Sequence, residues 1–382
     1  MLPSQTDMLR RLVGTPSVSA TDPRFDQSNR GVVDLIADWA EALGFDVRVR
    51  PVPGVSGKFN LVAKLGRGGG GLVLSGHTDT VPYNAERWTD DPFELTARDG
   101  KLYGLGSADM KGFFAAALHA VSRVDSKSLA HPVWVLGTAD EESTMAGARA
   151  LADEGGALGD YAIIGEPTGL APIHKHKGVF YVRVSVGGLA GHASNPSRGV
   201  NAIEGLHRVL GALETWRDGL EARFRDDEFE VPGPTLNFGR IVSGDSNNRI
   251  PDHGTLDIDM RLLPGMVPND VLAELRDEAT RALRSGSWSI DVEATGFYDA
   301  FGGPTNSGFR DAVESLCGCS ARTALFGTEA PYLAQLGLQT LVLGAGDIGV
   351  AHRPDEYVTM AEIERATDLY EQLIRRYCTD TA

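Results

Sequence analysis

The chain has 382 residues, 42% hydrophobic and 23% charged, enough apolar surface for a large core and about two domains by ordinary domain sizes. Lys and Arg number 36 against 52 Asp and Glu, a net charge of −16. That balance argues against a phosphate-backbone binder, which needs clustered basic residues, and the apolar content excludes a disordered chain.

Val32, Leu35, Ile36, Trp39 and Leu43 recur at helical spacing and predict a helix over Gly31–Gly44. Strands are predicted at Phe45–Val49 and Asn60–Leu65. A glycine-rich turn at Gly66 and Gly68–Gly71 then leads into the apolar run Leu72–Leu74. That turn lacks the Gly-Lys-Ser/Thr ending of a phosphate-cradling loop. Gly112–Val121 reads as a buried helix. Pro132–Leu136 and Tyr161–Ile164 read as buried strands on either side of a helical Met145–Asp153. This alternation predicts an α/β layer with a mostly parallel sheet. The middle of the chain differs: strand Val179–Val186, helix Ala202–Leu213, strands Thr235–Val242 and Thr255–Arg261, helix Val271–Leu283 and strand Ser287–Ala294. That βαββαβ order is the ferredoxin-like pattern. The expectation is a catalytic domain of residues 1–176 and 296–382, interrupted by an inserted domain of residues 177–295. A helix over Ala361–Tyr377 closes the chain.

Cys317, Cys319 and Cys378 are too few for a disulfide framework, and Cys317 and Cys319 are not spaced as a CxxC redox pair or a zinc knuckle. Free thiols, an N-terminus without a signal-peptide pattern and the lack of a bilayer-length apolar run predict a cytoplasmic protein with no membrane partner.

Five segments put metal-ligating residue types near turns or strand ends: His77 and Asp79 in SGHTDTVP, Asp109 in GLGSADMKG, Glu141 and Glu142 in GTADEES, Glu166 in IIGEPT, and His352 in GVAHRPDE. Taken singly, each has a plain structural reading: Asp109 as a helix cap, the paired glutamates as a solvated turn, His352 as a surface histidine. Their repeated position after apolar strands is what caps alone do not explain, because open α/β sheets bind ligands beyond their strands' carboxyl ends.

These segments, with FDQSN at Phe25–Asn29, GHASNPSRGVNAIE at Gly191–Glu204, NRI at Asn248–Ile250 and TEAP at Thr328–Pro331, resemble the co-catalytic zinc metallopeptidases and deacylases. That family includes aminoacylase, glutamate carboxypeptidase and succinyl-diaminopimelate desuccinylase, and the likeness runs through essentially the whole chain. The resemblance implies two divalent metal ions, zinc with cobalt or manganese as alternatives, bridged by Asp109. His77 and Glu166 would complete one site, Glu142 and His352 the other; mixed imidazole and carboxylate donors suit such ions. Asp79 is expected to orient His77 by accepting its second ring N–H on the carboxylate.

The resemblance further implies attack of metal-bound hydroxide on an amide carbonyl, with Glu141 as general base. His192 would reach across a homodimer to stabilise the oxyanion, and an exposed edge strand of the inserted sheet would be the pairing surface. Arg249 would clamp a substrate carboxylate, assisted by Asn237, and Glu329 would attract a cationic side chain. The implied substrate is a small N-acyl-amino acid, N-acetyl-L-ornithine in arginine biosynthesis, with N-acetylcitrulline and N-succinyl-diaminopimelate as alternatives. A non-catalytic scaffold would have lost a ligand or the base, and this chain keeps them all.

Overall fold

A computed structural model describes residues 2–156, 158–305 and 307–380. The chain divides into two compact units, one of Met1–His174, Gly303–Arg322 and Thr328–Ala382, the other of Lys175–Gly302 and Thr323–Gly327.

The first unit is built on a sheet whose central strands run in the order Val133–Thr138, Leu72–His77, Tyr161–Ile164 and Gln339–Val342, all parallel. Strands Phe59–Leu65 and Asp46–Pro51 extend it antiparallel at one side, and Val342 meets Ile173 antiparallel at the other. Leu72–His77 and Val133–Thr138 are buried at every residue, as parallel strands covered on both faces must be. On one face, alternate residues Leu61, Ala63, Leu72, Leu74, Val133, Val135, Ile163 and Leu341 share a core with helices Gln5–Val13, Arg30–Ala42, Gly112–Ser122 and Met360–Cys378.

The Ala-rich helix approaches the sheet closely because two strand-end positions are glycine. A Cβ at Gly76 would stand 2.6 Å from Phe113 and Met110 side-chain atoms, and one at Gly165 would stand 2.0 Å from the Phe113 ring. The helix Gln5–Val13 and the strand Gln339–Val342 were not among the predicted elements. The glycine turn, the Gly112–Ser122 helix and the closing helix Met360–Cys378 lie where the sequence predicts them.

The second unit has strand order Thr235–Ser243, His253–Leu262, Gly178–Gly187, Ser289–Tyr298, antiparallel throughout. In chain order that is the 2-3-1-4 arrangement of a ferredoxin-like fold, with helices Ala202–Arg223 and Pro268–Leu283 sharing its core. The first helix runs ten residues past the predicted end at Leu213. Its buried stripe continues through Trp216 and Leu220 at helical spacing, beneath a charged outer face that hides the periodicity.

Candidate metal centre

The parallel strands deliver the side chains of this centre from their carboxyl ends. His77 is the last residue of its strand and lies opposite Thr138, from which the chain runs three and four residues to Glu141 and Glu142. Glu166 follows Ile164 after the close-packed Gly165, Asp109 sits in the irregular turn before the Ala-rich helix, and His352 lies in the loop beyond Val342. Asp140 and His352 both adopt left-handed backbone, with φ of 63° and 59°, as the sharp reversals there require.

All five expected ligands converge. His77 Nε2 lies 3.0 Å from Asp109 Oδ1 and 3.9 Å from Glu166 Oε1. The other Asp109 oxygen, Oδ2, lies 3.3 Å from His352 Nε2, which is 3.2 Å from Glu142 Oε2. Two donor groups therefore share Asp109: His77–Asp109–Glu166 and Asp109–Glu142–His352, each with ligand atoms within 4.8 Å of one another. A third, overlapping group joins His77, Glu141 and Glu142. His77 is 1% exposed and His352 53%, so the second group faces the open side.

Burial of so many acids together has an electrostatic cost. Burial, then the charges of Glu166 and Glu142, hold the Glu141 carboxyl well above its ordinary value, against the pull of His77. Glu166 is likewise raised by burial and by Asp109, and Glu142 by the same two causes. Burial alone would lower His77, but the carboxylates of Asp109, Glu166 and Glu141 outweigh it and hold the ring well above its usual range. His352, hydrogen-bonded to Asp109 and Glu142, is pushed up to about 10.

Asp79 departs from expectation in one atom. Its main-chain carbonyl, not its carboxylate, lies 3.0 Å from His77 Nδ1, and the carboxylate oxygen is at 3.8 Å. The carboxylate instead accepts the backbone N–H groups of Glu141 and Glu142, at 3.3 and 3.2 Å, tying the His77 turn to the turn that carries both glutamates. Residues 77 and 79 of a chain turning away from a strand end allow the carbonyl to curl back on the ring, which releases the side chain.

Sequence reasoning missed two buried anchors. Lys58 donates to Ser19 Oγ at 2.8 Å, Asp26 Oδ1 at 2.7 Å and the Gln27 carbonyl at 2.9 Å, and stands 3.6 Å from Asp140, the residue before Glu141. Glu356 accepts three main-chain N–H groups of the turn that ends in Asp109. The only trace of either in sequence is that Glu356 ends the GVAHRPDE stretch that carries His352. Glu329 is buried, and its Oε2 accepts the Thr138 hydroxyl at 2.7 Å while Oε1 has no hydrogen-bond partner among the described residues. Burial raises it to about 7.

In the second unit, His192 and Arg249 face each other as Cα partners in a two-stranded antiparallel ribbon, Gly191–His192 with Arg249–Ile250. The Ser194 N–H donates to His192 Nδ1 at 3.1 Å, so the neutral ring carries its proton on Nε2. Arg249 is half exposed and pairs with Asp245 at 2.9 Å. Asn237 lies exposed on the edge strand, opposite Asp259.

Residues 73–376 match the family described as Peptidase family M20/M25/M40. The chain belongs to that family. It is 46% identical over 380 residues, 99% of this chain and 97% of the relative, to a Proteus mirabilis (strain HI4320) protein named Acetylornithine deacetylase. In fold it is similar to aminopeptidase PepT from Bacillus cereus, with a TM-score of 0.77, 20% identity and 97% of each chain covered. It is also similar to the Bacillus subtilis YXEP protein, described as a dinuclear metal-binding peptidase from the M20 family, with a TM-score of 0.68, 15% identity and coverage of 97% and 96%. No helix among the described residues is long and apolar enough to cross a membrane.

The donor chemistry of this M20 chain fits a pair of cations: each oxygen of one carboxylate faces a different imidazole, and the clustered acids need opposing charge. A consequence is measurable. For the raised histidines and glutamates the metal-free folded state binds more protons than the unfolded chain, so its stability falls as pH rises above the ordinary carboxylate range and keeps falling until His352 loses its proton at about 10. Zinc at about 100 times its Kd is expected to add roughly 2.7 kcal/mol to chelator-treated protein. In a thermal melt the upward shift should be larger at pH 8 than at pH 6, and an unmoved midpoint would exclude metal binding at the cluster.

Proposed function

We propose that this chain is a metal-dependent amidohydrolase that converts N2-acetyl-L-ornithine to L-ornithine and acetate, a step of arginine biosynthesis. The observation that carries the reading is 46% identity, over 99% of the chain, with a relative named Acetylornithine deacetylase. Support from the geometry is the pair of donor groups joined at Asp109. Their imidazole and carboxylate donors suit zinc, with cobalt or manganese as substitutes.

Bound cations supply polarisation of the amide carbonyl and ease deprotonation of water near neutral pH. The chain supplies the rest. Glu141 takes the proton of the attacking water and returns it to the departing amine, a task suited to a carboxyl whose proton affinity is raised. Asp79 holds the Glu141 and Glu142 amides and, through its carbonyl, the His77 ring. His192 donates its Nε2–H to the tetrahedral oxyanion. Arg249 takes the substrate carboxylate, with Asn237 assisting; a half-exposed pair such as Arg249–Asp245 holds little energy and exchanges readily for a bidentate ligand. Glu329, with an orphaned buried oxygen, attracts the ammonium of the ornithine side chain.

The enzyme acts as a cytoplasmic homodimer in this reading. The free cysteines accord with a reducing compartment. The edge strand Thr235–Ser243, with Ile241 53% and Val242 46% exposed, offers the pairing surface.

The test offers zinc- or cobalt-loaded protein N-acetylornithine, N-acetylcitrulline and N-succinyl-diaminopimelate in parallel and measures amine release. The highest kcat/KM is expected for acetylornithine. A higher value for either competitor reassigns the substrate, and no turnover of any with metal bound would point to a binding protein.

A further inference from the structure

We infer that Glu356 is a positioning residue for the metal centre: its carboxylate fixes the main chain that presents Asp109, the residue common to both donor groups. The inference rests on the two-metal reading above but not on the identity of the substrate.

Asp109 must aim two oxygens at two imidazoles from a stretch with no regular structure, since its φ and ψ of −119° and 91° are not helical. Something other than a helix or a sheet ladder has to hold that backbone. Glu356 does so with both carboxylate oxygens. Oε2 accepts the Gly106 N–H at 3.1 Å, and Oε1 accepts the N–H groups of Ala108 at 2.9 Å and Asp109 at 3.0 Å. The Glu356 carbonyl adds the Gly104 N–H at 3.0 Å and the Ser107 hydroxyl at 3.4 Å. One residue thus satisfies most of the turn's donors at a buried position; Glu356 is 1% exposed.

Glu356 is itself anchored by the strand that follows it, while Asp355 before it makes a separate, exposed tie that does not touch the Asp109 turn. Strand Tyr357–Thr359 pairs with Lys101–Tyr103, the strand that feeds the Asp109 turn. Asp355 accepts the Thr89 N–H at 2.8 Å and its hydroxyl at 2.7 Å. The nearby buried Lys111 commits its ammonium to the Leu12 and Thr15 carbonyls. Four residues upstream of Glu356 stands His352, so one short segment brings a ligand to one donor group and a backbone clamp to the ligand shared by both.

A buried carboxylate that only completes a turn would lower stability when replaced and leave metal affinity alone. A positioning role predicts more. Glu356→Gln keeps the shape but turns an amide N–H₂ towards the Gly106 N–H, and Glu356→Asp keeps the charge but withdraws it by one methylene. Full-length, chelator-stripped variants are titrated with cobalt against a chromophoric chelator, with the visible cobalt bands recorded and metal-free melting measured alongside. Both variants are expected to bind cobalt at least about 10-fold more weakly in one site, with altered bands. The comparison Asp355→Ala, which releases Thr89 only, should lower the metal-free midpoint and keep wild-type affinity and bands.

Wild-type affinity and bands in the Glu356 variants would overturn the inference. So would rapid hydrogen exchange at the Ala108 and Asp109 amides of the metal-free wild-type protein, a measurement that stands even if neither variant folds. Because cobalt is read without substrate, failure to hydrolyse acetylornithine leaves this inference intact, and unaltered Glu356 variants sink it alone.

Discussion

Glu141→Ala is expected to lower kcat by about 10²–10⁴ while both metals remain bound, and Glu142→Ala to lose one metal. The two residues are sequence neighbours in one turn, yet their surroundings differ. Glu142 places its carboxylate 3.2 Å from His352, in the group that includes Asp109. Glu141 is governed by burial and the charges of Glu166 and Glu142, which keep its proton affinity high against the opposing pull of His77. A base of this kind changes protonation during turnover, whereas a ligand must remain ionised. Geometry alone leaves Glu141 a second option, since it also stands with His77 and Glu142 in a donor group. Metal stoichiometry by cobalt titration, beside steady-state kinetics, separates the two. Exchanged phenotypes would assign the base to Glu142.

The centre was legible in sequence where a strand end wrote it there. His77, Glu141, Glu142 and Glu166 each follow an apolar run, and such runs are the strongest local signal for buried strands. Asp109 and His352 lie in irregular backbone; residue type and nearby turns made them candidates, and the family resemblance gave them their role as ligands. Contacts between distant segments leave no such trace. The Glu356 carboxylate meets the Asp109 amide across 247 positions, and Lys58 meets Asp26 across 32, neither at a spacing that periodicity reads. The Asp79 error is finer still. Sequence placed the residue beside His77 correctly, but whether carbonyl or carboxylate meets the ring depends on a turn of two residues. In the second unit the βαββαβ order was plain, whereas the far end of helix Ala202–Arg223 was masked by Glu214, Arg217 and Asp218 around the Trp216 and Leu220 stripe.

The second large effect concerns His192. His192→Ala is expected to lower kcat by about 10²–10³, the usual cost of one oxyanion donor, with metal content unchanged. If His192 of one subunit serves the centre of the other, mixing inactive His192→Ala and Glu141→Ala chains restores activity. Random re-pairing would give about a quarter of the wild-type rate, because only mixed dimers hold a complete centre, one of their two. No recovery after verified subunit exchange would confine His192 to its own chain. The ribbon adds a stricter condition. His192 and Arg249 are direct Cα partners, so both must serve the same centre. Arg249→Ala mixed with Glu141→Ala should therefore recover as His192→Ala does. A mixture of His192→Ala with Arg249→Ala should not recover, since each centre would then receive a ribbon damaged at one of its two positions.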